Sequence, residues 1–135
     1  RKEDWHKEVF KITKDIAAKT GVRPGIDLTF DHIGETHFNK QLTLLNYGGT
    51  LVSCGATTGY DAKIDLRHIF FKGINVLGST QGTKAEMDLG LYWMGKGKIK
   101  AEIDSTYTFE QAAEAHTKML SGKFFGKIML KPENA

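Results

Sequence analysis

The run Gly25-Ile26-Asp27-Leu28-Thr29-Phe30-Asp31-His32-Ile33-Gly34, followed by Leu44-Leu45-Asn46-Tyr47-Gly48-Gly49-Thr50-Leu51-Val52-Ser53-Cys54-Gly55, constrains this chain more than any other feature. It reads as strand, turn, helix, Gly-Gly, strand, turn. Two short apolar strands joined through a helix form a β-α-β unit, whose strands lie parallel. Both strands end in small or polar residues, where the backbone leaves room for a ligand.

The same alternation extends in both directions. Asp4 is placed to cap a helix from Trp5 to about Lys19, with Val9, Ile12 and Ile16 on one stripe and Gly21 as its stop. Ile26–Phe30 is a strand of interior character. A second helix starts near Glu35 or Thr36, carries Phe38, Leu42 and Leu45 on one face, and stops at Gly48-Gly49. Thr50–Cys54 is the next strand, and Gly55–Gly59 is a loop of small residues. Asp65–Phe71 reads as a helical turn ending at Gly73, and Ile74–Leu77 as a third strand. Thr83 with Glu86 forms a capping box for a helix with Met87, Leu91 and Met94 inward. Ile103–Tyr107 is a strand outside the main repeat. Thr108 with Gln111 forms a second box, before a helix whose buried stripe is Phe109, Ala112, Ala113, His116, Met119 and Leu120. Gly126–Leu130 is the last strand. The class is α/β, and right-handed crossovers lay the first three strands out in chain order. It is the second half of a doubly wound, dinucleotide-binding sheet, because no G-x-G-x-x-G occurs in the chain.

Charge and cysteine count narrow the function. A net charge of +3 with dispersed Lys and Arg excludes a nucleic-acid patch. One cysteine excludes an internal disulfide framework or a cysteine zinc cage and fits a cytoplasmic setting. No apolar run approaches the ~20 residues of a membrane span. The start, Arg1-Lys2-Glu3-Asp4, lacks methionine and is expected of a truncated chain.

In an open parallel sheet, ligands bind beyond the carboxyl ends of the strands. Three such ends stand here: Asp31-His32-Ile33-Gly34, Cys54-Gly55-Ala56 and Leu77-Gly78-Ser79. His32 and His37, beside Asp31 and Glu35, lack the four-residue helical spacing that joins two imidazoles on one metal. Cys54 has no adjacent His or Lys to activate a thiolate. The G-x-S-x-G elbow of hydrolases and the P-loop are both absent.

Asp31-His32-Ile33-Gly34, Leu44 to Gly55, Cys54 to Gly59, Phe70-Phe71-Lys72-Gly73, Val76-Leu77-Gly78-Ser79-Thr80 and Phe125-Gly126-Lys127-Ile128-Met129-Leu130 stand in register. Together they resemble the medium-chain dehydrogenase/reductase superfamily, in its zinc-type alcohol dehydrogenase and quinone reductase branches. The resemblance implies that residues 1–135 are part of an NAD(P)-binding, Rossmann-like domain with the family's carboxyl-terminal segment. The glycine-rich first turn and the amino-terminal catalytic domain are then absent, and the last helices and strands return to that domain.

It implies NAD or NADP as cofactor, with any zinc confined to the absent domain. His32, Ile33 and Gly34 then lie on the ribose or adenine side, and Cys54, Gly55 and Ala56 border the nicotinamide ribose. Leu77, Gly78 and Ser79 offer backbone groups to the carboxamide, while Phe125, Gly126 and Lys127 close over the cofactor, Lys127 as a phosphate contact. No residue takes a catalytic role, and the chain alone is expected to be inactive. The expected activity is hydride transfer between NAD(P)H and an alcohol, aldehyde or ketone. A zinc-free quinone or enoyl reductase is the alternative within the superfamily. A methyltransferase, or a non-catalytic nucleotide-binding protein, is the alternative outside it. The expected partners are a small-molecule substrate and a second copy, paired through the Ile74–Ser79 edge.

Overall fold

The structure, a computed structural model, describes residues 4–132. The chain forms two units, one ending at Gln81 and the other starting at Gly82.

The first unit opens with α1 (Trp5–Thr20), closed by Gly21 in the left-handed conformation with its N–H on the Ala17 carbonyl. The expected cap at Asp4 does not form. Its backbone is not in the extended conformation that caps require, and its carboxylate pairs with Lys7 at 3.2 Å instead. Next come β1 (Ile26–Asp31), α2 (Phe38–Leu44), β2 (Leu45–Ser53), α3 (Leu66–Lys72) and β3 (Asn75–Gly78). The three strands are parallel in the order β1-β2-β3, as right-handed crossovers require. β1 is an edge of this sheet rather than an interior strand, and Leu28 and Phe30 on it are exposed.

α2 is shorter than its sequence pattern at both ends. It begins only at Phe38, because the Gly34 carbonyl accepts from both His37 and Phe38 in a turn. It ends at Leu44, because Leu45 pairs with Ile26 as the first residue of β2. Leu45 is buried as its face predicted, but from a strand. Gly48-Gly49 therefore lies inside β2, where the register slips between Ile26 and Leu28. Gly48 takes φ +72°, and a Cβ on Gly49 would press on the carbonyls of Asn46 and Asp27. The Lys72 ammonium donates to the carbonyls of Thr43 and Leu45, each at 2.9 Å, and closes the end of α2. Burial holds Lys72 below the usual lysine range. The core is Leu42, Leu45, Leu51 and Ile74, with Ile26, Phe38, Ile64 and Ile69 packed around it. Asp65 caps α3, accepting from Arg67 N at 3.0 Å.

The second unit holds α4 (Lys84–Gly95), β4 (Ile103–Thr108), α5 (Ala112–Ser121) and β5 (Lys127–Lys131), with β4 and β5 parallel. The Thr83–Glu86 box is complete, with Thr83 N on Glu86 Oε2 at 2.6 Å and Glu86 N on Thr83 Oγ1 at 3.3 Å. The Thr108–Gln111 box is only half made. Gln111 Oε1 accepts from Thr108 N at 3.1 Å, but the Thr108 hydroxyl serves Glu110 and α5 starts one residue past Gln111. Two expected core stripes are not buried. Met87, Leu91 and Met94 are exposed, as are Phe109, Ala113, His116, Met119 and Leu120, and Ala112 is half-buried. Ala115 is the buried residue of this unit among those described. A two-stranded sheet is too small to cover both helices. Among the described residues no helix is long and apolar enough to cross a membrane.

Candidate functional site

Three strand ends meet at one edge of the first unit. Asp31, the last residue of β1, is fully buried. Its Oδ1 accepts from Ile33 N at 3.2 Å and Gln41 Nε2 at 2.6 Å, and its Oδ2 from Gly34 N at 3.1 Å. Gln41 in turn accepts from the Thr29 hydroxyl at 2.6 Å. A carboxylate has lone pairs for several donors, and here it fixes the turn His32-Ile33-Gly34 from beneath. Gly34 takes φ +84°, and a Cβ there would press on Ala56 and the Gly59 carbonyl, so no side chain fits.

The end of β2 lies beside this turn. Cys54 N donates to Asp31 O at 2.8 Å, and its thiol, free and exposed, reaches the same carbonyl at 3.5 Å. Gly55 packs against the His32 backbone. Thr57 and Thr58 then bond the carbonyls of His32 and Ile33. The end of β3 is tied on through the Ser53–Gly78 pair and by Ser79 N on Ser53 O at 2.8 Å. A cleft of about 330 Å³ opens beside the first two ends, lined by Gly34, Phe38, Ser53, Gly55, Ala56 and Tyr60.

His32, Ile33, Gly34, Cys54, Gly55, Ala56, Gly78 and Ser79 are thus brought to one edge, with Leu77 one step back opposite Val52. Phe125, Gly126 and Lys127 belong to the second unit. There Phe125 N donates to Asp104 Oδ1 at 3.0 Å, and Lys127 N donates to Glu102 O at 2.8 Å. Asp104 also pairs with Lys118, which with the Phe125 N–H holds its carboxyl below the usual range and raises Lys118. Gly126, at φ +101°, lies against the Glu102 carbonyl.

Sequence reasoning missed Asp31, Gln41, Thr29, Thr57 and Thr58 as the groups that hold these turns. The adjacent threonines after Gly55-Ala56 were the available signal, since short hydroxyl side chains bond nearby backbone. The His37 ring stacks on Trp5 at 5.1 Å and meets the Thr36 hydroxyl at 2.8 Å. Among the described residues no group of three His, Cys, Asp or Glu could hold a metal ion.

A family model described as zinc-binding dehydrogenase matches residues 6–130. The crotonyl-CoA reductase of Streptomyces collinus is 30% identical over 131 residues, covering 94% of this chain and 29% of its own length. A solved 2-octenoyl-CoA carboxylase reductase, in complex with NADP and 2-octenoyl-CoA, superposes with a TM-score of 0.75 at 25% identity, over 94% of this chain and 28% of its own. An NAD-dependent alcohol dehydrogenase superposes at 0.73 with 30% identity, over 95% and 35%. The chain therefore spans about a third of the length of the proteins it matches.

Proposed function

This chain belongs to the zinc-binding dehydrogenase family of the medium-chain dehydrogenase/reductase superfamily, and we infer that it builds the nicotinamide-side wall of an NAD(P)-dependent oxidoreductase. Membership sets aside the methyltransferase reading. The observation that carries the proposal is the alignment of three parallel strand ends at one edge, with a cleft at the first two, the place where open parallel sheets bind ligands. The residues fit a flat, extended cofactor. A Cβ on Gly78 would meet nothing within 4 Å, so the end of β3 faces open space that only glycine leaves fully clear.

The cofactor is NAD or NADP, and when bound it supplies or accepts the hydride. The protein's part is to bind and orient it. His32, Ile33 and Gly34 line one side of its path, and Cys54, Gly55 and Ala56 border the nicotinamide ribose. Leu77, Gly78 and Ser79 present backbone groups to the carboxamide. The buried Asp31 keeps the first of these turns in place. None of these residues moves a proton, so the proposal includes that this chain alone does not turn over.

For the full-length protein the proposed reaction is hydride transfer between NAD(P)H and an aldehyde or ketone, with the alcohol as reverse substrate. The zinc of the alcohol dehydrogenase type would be held outside the described residues. A zinc-free quinone or enoyl reductase is the second reading, its enoyl form favoured by the likeness to the crotonyl-CoA reductase and the 2-octenoyl-CoA carboxylase reductase. A cytoplasmic homodimer, paired through the exposed β3 edge, belongs to the same proposal.

Titration of the full-length protein with NADH and NADPH, followed by nicotinamide fluorescence, is the test. Saturable binding of either is expected; absence of both would sink the reading. Turnover of aldehydes with stoichiometric zinc would then favour the first substrate class, and turnover of enoyl thioesters without zinc the second.

A further inference from the structure

Neighbouring turns at the end of a parallel sheet are no longer tied by the ladder, so other groups must fix the gap between them. Here two consecutive threonines do so. Thr57 reaches the His32 carbonyl with both its N–H, at 3.2 Å, and its hydroxyl, at 2.7 Å. Thr58 reaches the Ile33 carbonyl in the same way, with N–H and hydroxyl each at 2.8 Å. A carbonyl oxygen has two lone pairs, and both are filled at both positions.

The Thr58 hydroxyl does more. It also accepts from Thr36 N at 3.2 Å and from the Thr36 hydroxyl at 3.1 Å. One donor and two acceptor sites are all that a hydroxyl has, and all are used. Three segments meet on that one oxygen: the turn after β1, the turn before α2 and the loop after β2. The span Gly55-Ala56 is held at both ends, by Cys54 N on Asp31 O and by Thr57 N on His32 O. A turn needs only the N–H bonds to exist, and the hydroxyls add a second tie that sets the separation of the two walls.

We propose that Thr57 and Thr58 are positioning residues for the nicotinamide cofactor, setting the gap between the His32–Gly34 and Cys54–Ala56 turns without touching the cofactor. The inference rests on the oxidoreductase reading above. Valine is the probe, because it keeps the shape and the backbone N–H and loses only the hydroxyl. Serine restores the hydroxyl and loses the methyl group.

The experiment measures NADH and NADPH affinity, kcat and melting temperature for the full-length wild type and for Thr58→Val, Thr58→Ser and Thr57→Val. Thr58→Val is expected to weaken binding by about five- to tenfold, with kcat at saturating cofactor held within about twofold. Thr58→Ser is expected within about twofold of wild type, and Thr57→Val between the two. Valine variants that bind as tightly as wild type would overturn the proposal. So would a Thr58→Ser variant as weak as Thr58→Val, which would assign the effect to methyl packing. If Thr58→Val fails to fold, Thr57→Val decides, since its hydroxyl serves a single carbonyl. A wild type that binds neither cofactor would bring down the oxidoreductase reading itself, and the positioning role with it.

Discussion

Asp31 and Gln41 meet through a 2.6 Å hydrogen bond beneath the carboxyl end of β1, both side chains buried. Asp31 accepts from three donors, Ile33 N, Gly34 N and Gln41 Nε2, and the bond from Thr29 fixes which way the Gln41 amide points. An amide in place of the carboxylate would aim an N–H₂ at one of those donors. Asp31→Asn is therefore expected to destabilise the protein by about 2 kcal/mol, and Asp31→Ala by more, since it leaves all three donors unmatched. Urea denaturation measures both. An Asn variant as stable as wild type would show that the turn holds itself.

Gly34 and Gly78 separate fold from binding. At Gly34 a Cβ would meet a left-handed φ and the backbone of Ala56 and Gly59, so Gly34→Ala is expected to lose at least about 2 kcal/mol. At Gly78 a Cβ enters open space with no conformational penalty. Gly78→Val should melt with the wild type yet bind NADH or NADPH at least about tenfold more weakly, because its branches occupy the cofactor's path. Equal melting with equal affinity would move the cofactor away from β3.

Lys72 gathers carbonyls from the end of α2 and the head of β2. Lys72→Met keeps the stem and removes the donors, leaving those carbonyls unmatched. A loss of about 1–2 kcal/mol is expected by thermal or urea unfolding. A neutral result would mean that solvent already satisfies them.

Asp65 carries the clearest pH signature. Its carboxylate caps α3 and accepts from the Arg67 guanidinium at 2.7 and 3.0 Å, and these bonds lower its pKa from 3.8 to about 2. A carboxyl depressed by folding lends stability that is present above its unfolded value and lost as pH falls through the folded one. The difference in melting temperature between wild type and Asp65→Asn should thus be constant above about pH 5 and shrink between about pH 4 and pH 2. A difference that persists at pH 2 would assign the cap's worth to geometry rather than charge.

Much of this architecture is legible in the sequence, because its punctuation is local. Gly21, Gly73 and the Thr83–Glu86 pair end or start their helices where the residues alone place them. Parallel strand order follows from crossover handedness. What the sequence misplaces depends on pairing or on area. Leu45 fits a helical stripe as well as a strand, and only Ile26 across the ladder decides it. Met87, Leu91 and Leu120 fall on apolar stripes, yet a two-stranded sheet has no surface to cover them. At the site, the strand ends are visible as small residues. The Asp31–Gln41 bond spans ten positions that no periodicity connects, and the Thr58–Ile33 tie spans twenty-five.

The edge at β3 yields the last prediction. All four residues Asn75–Gly78 are exposed, the strand pairs on one side only among the described residues, and Val76 and Leu77 present apolar surface. An apolar strand with a free ladder is a template for another strand, and natural proteins guard such edges with charge or with a partner. No charged residue lies between Gly73 and Gln81. A second copy that meets the edge about a two-fold axis would run antiparallel to it and complete both ladders at once. The full-length protein is therefore expected to be a dimer by light scattering. Val76→Lys should shift it toward monomer, because a lysine at the centre of the joint would face its own copy. A monomeric wild type would remove the proposal. A dimer indifferent to Val76→Lys would move the interface to another surface.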